Sequence, residues 1–396
     1  MTDTYTAQPD LGFIAQMRGL GGDTLKKCYQ CATCSVACPI APEDSPFPRK
    51  EMIAASWGLK DKLIGSGDIW LCHNCGDCTD LCPRGAAPGD VLAAVRSAAI
   101  TEYATPKALA KAVNDPKKLP ILIAIPAVWI AIFAVITMTG KETMEKIFYA
   151  LFGDFIHWSH GVPEGVIAHS NFFSTWFVDL TFVPLSAFST IVFLLGLKRF
   201  LADIHENAML EGKTDKTALD YKLFLKSVIN VIPTILKHEK FNECETNKER
   251  ATPHLMVLFS FIGLFIVTAI VFVVLYFFHI PGPFSQLNPI KWLANIAGVA
   301  LVIGSAMMIK NRMDRKDEEL TTYKDWFVLW LVFALGVTGM LAQMTRLAGM
   351  EYTTYGFYYL HLISIFMFFA FLPFSKMAHL VYRLAAMAYA DYGNRK

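Results

Sequence analysis

Eight of the nine cysteines fall in two runs of identical spacing: Cys28-x2-Cys31-x2-Cys34-x3-Cys38-Pro39 and Cys72-x2-Cys75-x2-Cys78-x3-Cys82-Pro83. Each cysteine of the second run lies 44 residues after its counterpart. Three closely spaced thiolates can wrap three irons of a cubane, and in this spacing the fourth cysteine serves the other cluster. The expected ligands are therefore Cys28, Cys31, Cys34 and Cys82 for one [4Fe–4S] cluster. Cys72, Cys75, Cys78 and Cys38 would hold the second. Structural zinc favours separated cysteine pairs and four ligands in all, which two runs of four do not suit. The segment is polar and no apolar leader precedes it, so a disulfide framework is not the expectation. Few large apolar residues lie near the motifs, so ligation is expected to supply much of this segment's stability. His73, between two ligands, reads as a loop side chain, and Cys244 as an inert thiol.

The elements that would carry this chemistry divide at about residue 118. Apolar residues make up 54% of the 396-residue chain and charged ones 18%, a balance shifted toward membrane segments. The formal net charge of +2 leaves no nucleic-acid footprint. Residues 1–118 contain no apolar run long enough to cross a bilayer, and Pro88–Tyr103 has helical spacing with Pro88 in the first turn. Six long runs follow: Leu119–Met138, Phe172–Leu197, Leu255–Phe278, Trp292–Ile309, Trp326–Met344 and Tyr355–Phe374. Each has roughly the 17–25 residues that span a bilayer, and in lipid such runs must be helices. Lys and Arg concentrate in alternate connections: ten in 198–254, five in 310–325 and four after Phe374. The positive-inside rule then puts residues 1–118, both basic connections and the C-terminus on the cytoplasmic side of a prokaryotic inner membrane. The expected organisation is a mainly α chain. A cytoplasmic two-cluster ferredoxin-like domain over 1–118 precedes a six-helix transmembrane bundle over 119–396, with a cytoplasmic loop at 198–254. Two connections are amphipathic: Met144, Ile147, Phe148, Leu151, Phe152 and Phe155, then Phe224, Val228, Val231, Ile232 and Ile235.

Three histidines sit at distinctive depths. His254 opens the third span and His379 follows the sixth, both on the inner side. His361 lies inside the sixth span near its outer end, 18 residues or five helical turns before His379. His361 and His379 would share one face, with some bend at Pro373. Two imidazoles at one depth on different helices are what a haem b needs, and His254 with His379 meet that condition. His361 would serve a second haem. His157, His160, His169 and His279 are all on the outer side, and His169 is the favoured partner. The apolar runs contain one carboxylate, Asp179, which could accept a proton from a quinol or bond a neighbouring helix. Lys291 could bond a quinone carbonyl or simply snorkel.

Residues 1–118 resemble the two-cluster C subunits of heterodisulfide reductases. Tyr359-Leu-His361-Leu and Leu372-Pro-Phe-Ser-Lys-Met-Ala-His379 resemble the last helix of the gamma subunits of respiratory nitrate reductases, a cytochrome b family. His254 matches the ligand that pairs with the last histidine there, while a further ligand of that family falls on Leu264. The fusion of both parts resembles the C subunits of quinone-interacting membrane-bound oxidoreductase (Qmo) complexes of sulfate reducers. The resemblance implies two [4Fe–4S] clusters, one or two haems b, and menaquinol as donor. It also implies flavin- and Fe–S-bearing A- and B-type partner subunits, with adenylylsulfate (APS) reductase as terminal acceptor. A second expectation is a heterodisulfide-reductase-type complex acting on a thiol or disulfide. A third is a six-span transporter or sensor whose clusters only report redox state. The chain has no Rossmann fingerprint for a flavin or nicotinamide of its own, so it should need partner subunits to complete a reaction.

Overall fold

The computed structural model describes residues 8–152, 165–241, 243–245, 248–314 and 320–395. Among these residues all regular elements are helical. The cysteine-rich part comprises α1 (Leu11–Gly19), α2 (Thr33–Val36), α3 (Arg49–Ser56), α4 (Lys60–Ile64), α5 (Asp68–Leu71), α6 (Asp77–Asp80), α7 (Pro88–Tyr103) and α8 (Lys107–Val113). The rest comprises α9 (Leu119–Thr139), α10 (Lys141–Phe152), α11 (His169–Phe172), α12 (Thr175–Leu210), α13 (Tyr221–Lys237), α14 (Ala251–Tyr276), α15 (Pro289–Asp314), α16 (Tyr323–Leu347), α17 (Glu351–Phe371) and α18 (His379–Tyr392). Helices α9, α12, α14, α15, α16 and α17 are long and apolar enough to cross a membrane, one for each expected run. The protein is a multi-pass membrane protein.

The last span does more than bend. α17 stops at Phe371, and Leu372–Phe374 and Lys376–Ala378 form two 3₁₀ turns before α18 starts at His379. Pro373 has no N–H to continue the helical ladder. Ser375 is extended, and its hydroxyl accepts from the Met377 N–H. His379 therefore opens a new helix rather than continuing the face of His361.

The basic connection 198–254 is also largely helical. α12 projects to Leu210, and α13 packs on α18. Phe224 and Val231 of the amphipathic stripe are buried there, whereas Ile232 stays exposed. The outer amphipathic stripe forms α10 as far as Phe152; Phe155, His157 and His160 lie outside the described residues.

Contrary to the sequence expectation, the cysteine-rich part has a substantial apolar core. Phe13, Met17, Met52, Leu63, Trp70 and Leu92 are fully buried. That core runs on into α12 and α18: Trp70 stacks on Tyr382 with centroids 5.1 Å apart and meets Phe200 edge-on at 6.2 Å. Tyr103 Oη donates to Asp203 Oδ2 (2.8 Å) and lies 3.2 Å from Ile64 O. Each such large side chain contributes roughly 1.5–3 kcal/mol on burial. Packing on the projecting helix ends thus holds this segment alongside any ligation. Sequence reading missed it because about a third of the core belongs to α12 and α18.

The C-terminus closes the same junction. Asp68 is bound by Lys50 Nζ and by Arg395 Nη1, each at 2.5 Å. Glu51, 3% exposed, lies beside them, and its Oε2 has no partner among the described residues. Burial first, and then the Asp68 charge, push the Glu51 carboxyl up to about 8, with Lys50 opposing. A raised carboxyl binds its proton more tightly in the folded state. Stability is therefore lost as pH climbs from the ordinary value near 4.5 to about 8. Glu51→Gln is expected to raise the melting temperature in detergent by several degrees at pH 8, with the gain gone by pH 5. A variant that melts below wild type at pH 8 would show that Glu51 works as an ionised partner of Lys50.

Candidate functional site

The two cysteine runs fold as a structural repeat. Gln30 and Asn74, 44 residues apart, both take left-handed backbone, φ 60° and 52°. So do Ala32 and Gly76, φ 71° and 107°, each leading into a one-turn helix, α2 or α6. These reversals turn backbone N–H groups toward sulfur: Gln30 N to Cys28 Sγ at 3.4 Å, and Asn74 N to Cys72 Sγ at 3.3 Å. Ala86 N points likewise at Cys82 Sγ, 3.3 Å away. Such N–H···S contacts favour charge on sulfur.

The thiols gather in two crossed groups. Cys34 lies within electrostatic reach of Cys28, Cys31 and Cys82. Cys38 faces Cys72 and Cys75, and Cys78 faces Cys72, Cys75 and Cys38. Burial, with the neighbouring sulfurs adding to it, pushes the Cys34 thiol up to about 11. Burial likewise pushes Cys38 up to about 12. Left alone such thiols would hold their protons at neutral pH; a bound cation deprotonates them outright. The donor set thus fits a cationic metal–sulfur group at each crossing.

Cys244, read from the sequence as inert, is 1% exposed and packs against this region. Its sulfur, Cys75 Sγ and an Asp77 carboxylate oxygen lie within 4.8 Å of one another. The hydrogen bond between the two thiols holds Cys75 below the ordinary thiol range and Cys244 above it, so Cys244 keeps the proton. Its other acceptor, Lys240 O, is a weaker contact at 3.9 Å. The 162 residues that separate Cys244 from the nearest motif cysteine hide this contact in the sequence. Hydrogen bonds to cluster sulfurs raise reduction potential. Cys244→Ala is therefore expected to leave iron content unchanged and to lower one cluster's potential by tens of millivolts in an EPR-monitored titration. Loss of half the iron would instead make Cys244 a ligand.

His73 is no plain loop side chain either. It is packed edge-on to Phe241, centroids 4.6 Å apart. Arg383 of α18 donates to His73 Nε2 and, at 3.2 Å, to Leu71 O. Burial, and after it the Arg383 charge, hold the imidazole neutral. α18 thereby grips the second motif on the two residues flanking Cys72.

A cavity of about 1430 Å³ leads from Cys72 and His73 past His254 and His379 to His361 and Gln343. Single ligand pockets measure about 300–1,000 Å³, so it has room for more than one bound group. At the end near the cysteines, His254 of α14 and His379 of α18 face each other with ring centroids 6.3 Å apart and planes at 68°. Two imidazoles that both bind one metal ion through bonds of about 2 Å would have ring centroids roughly 6 Å apart. His379 Nδ1 donates to Lys376 O at 2.7 Å, which leaves Nε2 as the basic nitrogen. Burial and the nearby cations Lys376 and Arg383 keep that ring neutral down to about 4, the Lys376 carbonyl opposing them. The pair fits a haem iron.

At the other end the geometry is looser. His361 Nδ1 lies 3.2 Å from Thr338 Oγ1, and its ring packs so closely on Gly339 that a Cβ there would come within 2.8 Å of Cε1. His169 does not face it ring to ring. It tilts over Tyr358, one turn before His361 on α17, at 4.5 Å. His169 is nevertheless held neutral to about 4 by burial and by the charges of Arg346, His361 and Lys291, and its buried Nε2 has no hydrogen-bond partner among the described residues. His169 thus offers an orphaned ring nitrogen within electrostatic reach of His361, but it does not line the cavity that His361 lines.

Asp179 lines the cavity and accepts a hydrogen bond from Tyr276 Oη of α14. Lys291 is committed to a polar chain: its Nζ donates to Gln343 Oε1 (2.7 Å), Gln343 Nε2 to Asn295 Oδ1 (2.5 Å), and Asn295 Nδ2 to Gln286 Oε1 (3.2 Å). It reaches the cavity wall through Gln343 rather than directly.

Comparison with known proteins bears on the thiol site. Residues 24–86 match the model of the 4Fe-4S dicluster domain. The N-terminal segment is an iron–sulfur dicluster domain. Over 91 residues the chain is 35% identical to the C subunit of the H(2):CoB-CoM heterodisulfide,ferredoxin reductase of Methanothermobacter marburgensis, covering 23% of this chain and 49% of that one. It is 36% identical over 89 residues to a protein of Archaeoglobus profundus described as like the C subunit of heterodisulfide reductase, covering 22% and 47%. With the C-type iron-sulfur subunit of the CoB--CoM heterodisulfide reductase of Methanopyrus kandleri it shares 37% over 76 residues, 19% and 40% of the two chains. The chain thus spans about half the length of the curated relatives it matches, or less. No solved structure matches it.

Proposed function

We propose that this chain is the membrane electron-transfer subunit of a quinone oxidoreductase, exchanging electrons between a lipid-soluble quinol and partner subunits in the cytoplasm. The observation that carries the reading is one cavity lined at one end by Cys72 and His73 of the second cysteine motif, and further along by the half-buried His254, His379 and His361. Its residues can hold redox groups at successive depths. Cys28, Cys31, Cys34 and Cys82 would hold one [4Fe–4S] cluster, and Cys72, Cys75, Cys78 and Cys38 the other. His254 and His379 would hold one haem b, and His361 with His169 a second. When bound, these groups supply one-electron carriage.

The chain's own part is to bind, orient and move protons. Lys376 O fixes the His379 ring, Thr338 and Gly339 fix His361, and α18 ties the membrane histidines to the second cysteine motif through Arg383. Asp179 Oδ2, already hydrogen-bonded by Tyr276, would take up a quinol proton on the outer side. Lys291 would act there through Gln343. Menaquinol as donor, flavin- and Fe–S-bearing A- and B-type subunits as partners, and APS reductase as acceptor follow from the resemblance to Qmo C subunits. The basic connections, the N-terminal domain over 1–118 and the C-terminus would face the cytoplasm, with residues 119–396 as the cytochrome b-type bundle.

A dithionite-reduced spectrum of the purified protein should show haem b α-bands, and a menaquinol analogue should reduce both the haem and the clusters. A spectrum without haem would remove the quinone reading and leave an iron–sulfur sensor or transporter. The heterodisulfide reductase names of the relatives favour a second reading, a complex acting on a thiol or disulfide. Reoxidation of the pre-reduced native complex by a disulfide, with no response to quinone, would select it.

A further inference from the structure

His238 lines the same cavity beside His254 but belongs to neither of the histidine sets assigned above. It caps α13 in left-handed backbone, φ 53°, and is 8% exposed. Its Nδ1 lies 2.7 Å from Ile235 O, and its Nε2 lies 2.7 Å from His254 Nδ1. A carbonyl can only accept, so Nδ1 of His238 carries the hydrogen. The neutral ring then has a lone pair at Nε2, and His254 Nδ1 must donate to it. This leaves the lone pair of His254 at Nε2, the nitrogen that a metal requires. Phe241 stacks on His238 at 5.3 Å, keeping the ring in place, and also touches His73 at the second cysteine motif.

We propose that His238 is a positioning residue for the inner histidine pair: by accepting the Nδ1–H of His254 it fixes the tautomer and ring orientation in which His254 can share an iron with His379. The inference rests on the haem reading above. Partners of this kind typically change metal affinity 10–100-fold when removed. They also make the ligand more electron-donating, which favours the oxidised iron.

The test compares His238→Phe with His238→Gln in the full-length, haem-loaded protein. Phe keeps the aromatic stack and removes the acceptor, whereas Gln returns an acceptor oxygen near the same place. Both meet the same left-handed backbone strain, so the pair isolates the hydrogen bond. Haem loss to an apomyoglobin scavenger and the haem midpoint potential are the readouts. For His238→Phe, loss should be about 10–100-fold faster and the potential higher. His238→Gln should return both toward wild type. A haem-loaded wild type whose His238→Phe variant keeps wild-type loss rate and potential overturns this inference alone. Equal defects in both variants would do the same, pointing to packing. A wild type that binds no haem overturns the inference together with the functional reading.

Discussion

Cys82→Ala should halve the non-haem iron, from about eight to about four atoms per chain, and the cluster it removes should be the one bound by the first motif. Cys34 and Cys82 are neighbours in space although 48 residues separate them, while Cys38 stands with Cys72, Cys75 and Cys78. Double variants decide the crossing. Cys82→Ala with Cys31→Ala damages one proposed cluster twice and should still retain about four irons. Cys82→Ala with Cys75→Ala damages both and should retain almost no non-haem iron. The reverse outcome would mean that each motif closes on itself. The variants should stay folded, because Trp70, Tyr382 and Phe200 hold the segment to α12 and α18 whether or not one cluster is present.

His254→Ala has the second large expected effect: loss of one haem b per chain and of cluster reduction by quinol, with the iron–sulfur content intact. His254 and His379 face each other at 6.3 Å and come from different helices, so both imidazoles would be needed to hold the haem. His379→Ala should give the same spectrum. His361→Ala should spare the inner haem, because Thr338 and Gly339 hold His361 elsewhere on α16 and α17. Haem stoichiometry by pyridine haemochrome and low-temperature α-bands would check all three variants. Full haem content in His254→Ala, with quinol still reducing the clusters, would end this route.

Much of this architecture was legible in the chain. Six apolar runs became six spans because a bilayer-length stretch without water can satisfy its backbone only as a helix. The repeat of Cys28–Cys38 at Cys72–Cys82 reappeared as repeated backbone, down to the left-handed residues at Gln30 and Asn74. Pro88 and the spacing after it gave the helix Pro88–Tyr103. That His254 and His379 could come together was readable from their places at span ends, and their rings meet at 6.3 Å.

Local pattern thus determined which segments are helices and which side chains could ligate. The tertiary structure alone decided what surrounds them. Pro373 breaks the last span, so His379 opens α18 and Arg383 can reach Leu71 and His73. Residues 238–244, unremarkable in sequence, bring His238 to His254, Phe241 to His73 and Cys244 to Cys75. Periodicity and spacing record constraints between near neighbours in the chain. Contacts across 16, 168 and 169 residues arise from how helices pack, and no local pattern encodes them.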